Sequence, residues 1–460
     1  MNARSALLSA ALLLVTPVAA IAAPLRLTVD DAVARARAGG EEVRVAHARV
    51  LEARGRVREA LANVFPQVNG KVRYARLFDS IYEGLGDDVG GDLANSPFAA
   101  ANSWNAEVTA TQALWDFKIG AGLKAAKFFK QAAQHNERET TGDLVYRVKQ
   151  AYYDAASAER LLHIAEFGRD QSKAHENQVA LFQREGTRAE YDLLRAQVDA
   201  ANQEPIVVAA RNARELAHLE LKRLANIPLE MEIELEPALE PADGQLPALA
   251  EAATDLGPRG SLEAANATIQ LQRQAVRVRA YQDWPSLSAS TTISHQAFPE
   301  DEFPGRDEFR RNWEASVELS VPIFQGFRNH GAADRERALL QEAVAEYDRL
   351  KEAVALEGAR ARAELARTQA LLSARRETVR RATRAFELAG VRYANGLSTQ
   401  LEVSDTRLEM QTAEVDQVEA TRDYLTAIAG LERALGRPVK TEKKPIEQIT
   451  LNLPKEGATR

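Results

Sequence analysis

Glu402 and Asp405 pose the first chemical question in this 460-residue chain. They stand three apart, just beyond the helix-stopping pair Asn395-Gly396, inside a stretch from Pro322 to Pro438 that has no internal proline and reads as helix almost throughout. At i and i+3 both carboxylates fall on one face of a helix, where they either attract a cation or are simply solvated. Nothing nearby builds a catalytic centre. The 7 histidines are scattered without HExxH or another metal-ligand spacing, and no serine sits in a nucleophile elbow. The absence of cysteine removes disulfides, thiolate metal sites and thiol nucleophiles. A second acidic group, Asp79, Glu83, Asp87, Asp88 and Asp92, lies between Phe78 and Asn102. It lacks EF-hand spacing, and "GLGDDVGG" misses a phosphate-binding glycine pattern, so a solvated loop is expected. The residues therefore imply no enzyme, no metal site and no cofactor.

The elements that carry these residues are long. From Ile119 to Phe182, and again from Arg328 to Tyr393, the pattern is helical over about 65 residues, or roughly 100 Å at 1.5 Å per residue. Leu144, Val148, Ala151, Ala155, Ala158, Leu162 and Ala165 follow the four-and-three spacing of a coiled-coil seam, with small residues that permit close approach. Only 28 residues are aromatic, so narrow seams replace bulky cores.

Four segments alternate instead with period two. Trp313, Ala315, Val317, Leu319 and Val321 oppose Glu314, Ser316, Glu318 and Ser320; Leu287, Ala289, Thr291 and Ile293 oppose Ser286, Ser288, Ser290 and Thr292; Val68, Gly70, Val72 and Tyr74 oppose Gln67, Asn69, Lys71 and Arg73. The segment Trp104 to Trp115 alternates less strictly, because Gln112 and Ala113 break its faces. Ten-residue alternation with aromatic ends suits an outer-membrane strand, although a soluble sandwich alternates in the same way. Four strands cannot close a barrel, whereas three chains would supply twelve.

The N-terminus, with Arg4, an apolar run from Ala6 to Val15 and Ala20-Ile21-Ala22, fits a secretory signal over residues 1–22. No later run approaches the roughly 20 apolar residues of a membrane-spanning helix. A net charge of -7 with dispersed Lys and Arg argues against nucleic acid as a partner.

The chain is also duplicated. "NVFPQVNGKV" matches "QDWPSLSAST" at an offset of 219, Trp104 matches Trp313 at 209, and Gly186 and Pro228 match Gly396 and Pro438 at 210. The expected organisation is a first repeat over 23–240, with strands near 67–77 and 104–115, a long helix near 119–182 and a turn at Gly186. A second repeat follows over 241–440, with strands near 286–295 and 313–321, a long helix near 328–393 and a turn at Gly396. Residues 441–460 form a tail. Pro205, inside the helix after the first turn, is expected to kink or locally unwind it.

This ordered set resembles the TolC family of outer-membrane efflux channels: "FPQV" and "WPSL" before strands, "VPIFQGFRN" after the last one, "RYANG" at the helical turn and "LERALGRP" closing a half. The resemblance implies a mainly α fold with a small β part, a homotrimer whose 12-stranded outer-membrane β-barrel continues into a 12-helix periplasmic α-barrel. It implies a passive exit duct for tripartite efflux or type I secretion, with a periplasmic adaptor (membrane fusion protein), an inner-membrane transporter and outer-membrane lipid as partners. It places a periplasmic gate at Glu402, Asp405, Asp192 and Tyr393, and adaptor-docking tips at Gly186, Thr187, Gly396, Leu397 and Ser398. Phe327 stands where the family's second glycine is usual. Ser398 stands where the archetype has arginine, while Arg188 follows the first glycine; Arg188 is therefore expected to reach Glu402 or Asp405, or to pair with Asp192. The alternative is a periplasmic coiled-coil adaptor or scaffold.

Overall fold

The computed structural model describes residues 24–79, 100–187, 189–236, 259–299 and 303–436. The signal segment 1–22, the loop acids Glu83, Asp87, Asp88 and Asp92, Arg188 and the tail 441–460 lie outside the described residues. In chain order the elements are β1 (Leu25–Leu27), α1 (Val29–Gly39), α2 (Glu41–Ala62), β2 (Gln67–Arg76), β3 (Asn102–Trp115), α3 (Phe117–Arg184), α4 (Glu190–Leu224), β4 (Ile233–Leu235), α5 (Gly260–Ala280), β5 (Ser286–Ala297), β6 (Arg310–Ser320), α6 (Arg328–Ala394) and α7 (Gln400–Leu435). The protein is mainly helical with a small β part. Among the described residues, no helix is long and apolar enough to cross a membrane.

Along α3 the small-residue seam is buried: Leu144, Val148, Ala151, Ala155, Ala158 and Ala165 are all under a tenth exposed, and only Leu162 is partly open. Alanines at these positions let neighbouring backbones come close, so packing is set by contact along a line instead of by a thick core. The helices stop by a shared device. Gly186 and Gly396 take φ of 73° and 71°, and Asn226 and Gly436 take 54° and 65°. At the first two, the next residue's N–H reaches back five positions, Thr187 to the Phe182 carbonyl (3.0 Å) and Leu397 to that of Arg392 (2.8 Å). This is the Schellman closure, in which a left-handed residue lets the last carbonyls be satisfied.

The chain divides into two units. One comprises Met1–Ala36, Ala151–Glu240 and Arg381–Arg422. In it β1 and β4 pair in parallel, Leu25 beside Ile233 and Leu27 beside Leu235. The buried Tyr152 hydroxyl lies 3.1 Å from the Leu27 carbonyl and 2.7 Å from that of Glu236, so one phenol serves both strand ends. Pro205 does not unwind α4, which is helical from Glu190 to Leu224. The proline and Ala201, whose carbonyl loses its partner, are both exposed, so water satisfies what the ring removes.

The other unit comprises Arg37–Gln150, Pro241–Arg380 and the chain from Asp423 onward. Here β2, β3, β5 and β6 form one antiparallel sheet in that order. Arg259, 4% exposed, holds helices around it: its guanidinium meets Glu139 at 2.6 Å, Glu357 at 3.3 Å and the carbonyls of Arg433 and Ala434 at 3.1 and 3.2 Å. It thereby caps the C-terminus of α7, where unpaired carbonyls favour a cation. Next to it Gly260 permits close approach, because a Cβ there would stand 2.7 Å from the His135 carbonyl.

Candidate functional site

Register makes the sheet two-faced. Lys71 pairs with Glu107, Thr109 with Thr292, and Ser290 with Ser316, all on one face. Thr109 and Thr292 are hydrogen-bonded at 3.0 Å and Ser290 and Ser316 at 2.8 Å. The other face carries Val72, Val108, Ile293, Trp313, Val317 and Leu319. All six are well exposed, β6 being open on both faces in the single chain. Toward its end β3 departs from regular pairing. A bulge between Ala113 and Trp115 adds Leu114 to the strand, and the Gln112 amide donates to the Val64 carbonyl at 2.9 Å.

Aromatics gather at both ends of the strands. Phe117 touches Trp115, Tyr281 and Trp284 with centroids 5.6, 5.5 and 5.0 Å away, and Trp104 touches Tyr74 and Phe303 at 4.9 and 5.9 Å. Trp104 and Trp115 lie on one strand, roughly 36 Å apart at ~3.3 Å per residue. At a barrel tilt near 40° that is about 28 Å of depth, close to the ~25 Å apolar band of outer-membrane barrels.

Around the Gly396 turn, the expected gate residues occupy different settings. Glu402 sits in the first turn of α7 as part of a cap: its N–H lies 3.3 Å from Thr399 Oγ1, and its carboxylate accepts from Ser398 Oγ at 2.9 Å and meets Arg392 Nη1 at 3.7 Å. The pattern Thr399-x-x-Glu402 is a sequence-level capping signal, and it identifies a local duty for Glu402. Asp405 is exposed, one turn further on. Asp192 is joined to the same region through its carbonyl, which accepts from the Gln400 amide at 3.3 Å. The guanidinium beside Glu402 is that of Arg392, a residue the sequence reading did not single out.

Tyr393 is buried at 6% exposure, with its ring edge-on to His175, centroids 5.9 Å apart. Arg407 of α7 donates to Ser172 Oγ on α3, and Ser404 Oγ donates to Asp199 at 3.3 Å. Burial, with Arg407 nearby, pushes the His175 pKa below its ordinary value. Burial likewise lowers that of Arg407, against the pull of Asp199. Among the described residues, no group of three or more His, Asp or Glu could hold a metal.

An amphipathic antiparallel sheet with aromatic ends, attached to helices of 68 and 67 residues, defines the fold of outer-membrane channel proteins. The fold matches the outer membrane protein VceC of Vibrio cholerae, at 20% identity and a TM-score of 0.74 over 89% of this chain and 96% of that one. It also matches the open state of the MtrE outer membrane channel of Neisseria gonorrhoeae, at 19% identity and a TM-score of 0.72 over 89% of each. The pyoverdine export outer membrane protein OpmQ of Pseudomonas aeruginosa is 25% identical over 426 residues, which is 89% of this chain and 85% of that protein.

The outer membrane efflux protein family model matches residues 32–226 and 256–437, and the chain belongs to that family. It is an outer-membrane efflux channel, an exit duct and not an enzyme, and the adaptor alternative falls away.

Proposed function

We propose that three copies of the chain close a twelve-stranded barrel in the outer membrane and a twelve-helix tunnel in the periplasm. The observation that carries this is the sheet itself: four strands with one polar and one apolar face, ending at β2 and β6. An open edge and an exposed apolar face are both costly to a lone chain, and closure with further copies satisfies the two together. The polar face then lines water and the aromatic ends mark the membrane boundaries. In the proposed organisation, residues 1–22 are a removed signal, 23–240 and 241–440 are the two repeats, and 441–460 are a tail.

The duct is passive, and its periplasmic end is gated by Glu402, Asp405, Asp192 and Tyr393. The turns at Gly186-Thr187 and Gly396-Leu397-Ser398 present the tips to a periplasmic adaptor, which couples the duct to an inner-membrane transporter. The matched left-handed turns support this reading, since they give both halves the same rigid hairpin end. Arg188 remains a candidate partner for the acids.

The test is fractionation followed by unheated SDS gels and planar-bilayer recording. A heat-modifiable trimer in outer membranes that conducts ions supports the reading. Recovery as a soluble periplasmic monomer overturns it.

A further inference from the structure

The cluster beneath Tyr393 draws one side chain from each of four helices: His175 from α3, Asp199 from α4, Tyr393 from α6 and Arg407 from α7. His175 Nε2 is buried and, among the described residues, has no hydrogen-bond partner, and the ring packs edge-on against Tyr393. The charged or titratable groups facing it are Tyr393, Arg407 and Asp199, and on its own helix Ser172 binds Arg407. α3 faces α7 here: Arg407 reaches Ser172, and the space that a Cβ on Gly168, one turn before Ser172, would fill is taken by the amide end of Gln411, one turn after Arg407.

The duplication makes the cluster informative. Moving each member by the 210-residue offset gives Ala385, Gln183, Gln197 and Glu409 for His175, Tyr393, Arg407 and Asp199. The equivalent positions keep an acid but carry neither imidazole, phenol nor guanidinium. The cluster is therefore specific to one of the two related helix settings, and it is not a general requirement of packing such helices.

We propose that His175 is a proton-sensitive positioning residue for the channel entrance: neutral, it seats Tyr393 and the last turn of α6 on α3; protonated beside Arg407, it drives them apart. The inference rests on the gate reading. Two cations share one carboxylate, Asp199, in a partly dry setting, and like charges there are far more costly than in water. The packed state binds the proton less readily than a loosened, hydrated one, so acid favours loosening. Tyr393 lies three residues before the Gly396 turn, so displacement at His175 acts on the segment that carries Arg392 and leads into Glu402. Histidine is suited to this because its ordinary pKa lies within reach of an acidified periplasm.

The experiment is bilayer recording of the full-length assembled channel from about pH 7.5 to about pH 5, around the ordinary histidine pKa of ~6.5. In the native channel the closed-state conductance is expected to rise several-fold as pH falls. His175→Gln is expected to remove that rise while leaving cation preference intact. Arg407→Gln removes the repelling charge and is expected to weaken the rise and move it to higher pH. Unheated SDS gels establish assembly of each variant, and either variant alone decides the matter. A native channel with no acid-induced rise, a rise that survives His175→Gln, or one that Arg407→Gln leaves unchanged in size and in pH overturns the proposal. Failure of the underlying gate reading looks different: Asp405→Asn would then leave ion selectivity untouched.

Discussion

Arg392 Nη1 stands 3.7 Å from Glu402 Oε1, on the far side of the Gly396 turn, so the acid that the entrance is expected to use is already tethered within its own hairpin. Both side chains are substantially exposed, and such pairs are worth about 0–1 kcal/mol and are screened by salt. Arg392→Gln should therefore raise resting conductance by no more than about fivefold in dilute salt. Near 1 M KCl, where the screening length is ~3 Å, the difference should vanish. Conductance at the two salt concentrations checks this. A large, salt-independent leak would mean that Arg392 acts through something other than this pair.

Asp405 allows the proposed gate to be tested without disturbing the cap, since three copies closed around one axis would set its carboxylates in a ring. Glu402 helps to satisfy the start of α7, and a carboxylate at a helix N-terminus is worth about 0.3–1 kcal/mol, so its removal mixes folding with permeation. Asp405 is exposed and lies past the cap. Asp405→Asn is expected to move the reversal potential in a KCl gradient toward zero, because a ring of acids favours cations. An unchanged reversal potential would place Asp405 away from the conduction path.

The sequence exposed whatever repeats locally and hid whatever depends on distant neighbours. Period-two alternation in Trp313–Val321 and Leu287–Ile293 is visible because each strand reports its own two faces; the bulge just beyond Ala113, which sets Trp115 opposite Leu287, is something no single strand can reveal without its partner's register. The seam on α3 is legible as spacing, yet Leu162 stays partly open, since spacing does not say where a neighbour ends. At the entrance, Glu402 could be picked out by its place after Gly396, and Thr399-x-x-Glu402 was there to signal its cap. His175 and Arg407 could not be found in that way. They are 232 positions apart in sequence, on different helices, and only the folded packing brings Arg407 near the histidine that meets Tyr393.

Tyr152 predicts an alkaline limit. Burial is the largest cause raising its pKa to about 12, with Glu159 adding to it, from an ordinary 10.0. The neutral phenol is therefore favoured in the folded state, and the unfolded chain loses its proton first. The resulting stability is present in full below pH 10.0 and is lost as pH rises toward about 12. Tyr152→Phe should cost about 1–3 kcal/mol at neutral pH, as the strand-end carbonyls lose a donor. It should also flatten the fall in thermal stability across that alkaline window. Parallel curves for the two proteins would count against this role.

Arg259 predicts the largest single loss. It is buried, and its guanidinium joins Glu139, Glu357 and the last carbonyls of α7. Removing one partner of a buried ionic group strands the others, at a typical cost of about 3–5 kcal/mol. Arg259→Met retains much of the volume but neither the charge nor the donors, so it isolates that cost from cavity formation. Arg259→Lys should recover only part of it, because a point ammonium cannot reach two carboxylates and two carbonyls from one planar fork. Thermal unfolding of the detergent-solubilised channel should rank native above Lys above Met, with the pore properties of whatever remains folded unchanged. If Met matched the native protein, the cluster would be dispensable and α7 would owe its ending to Gly436 alone.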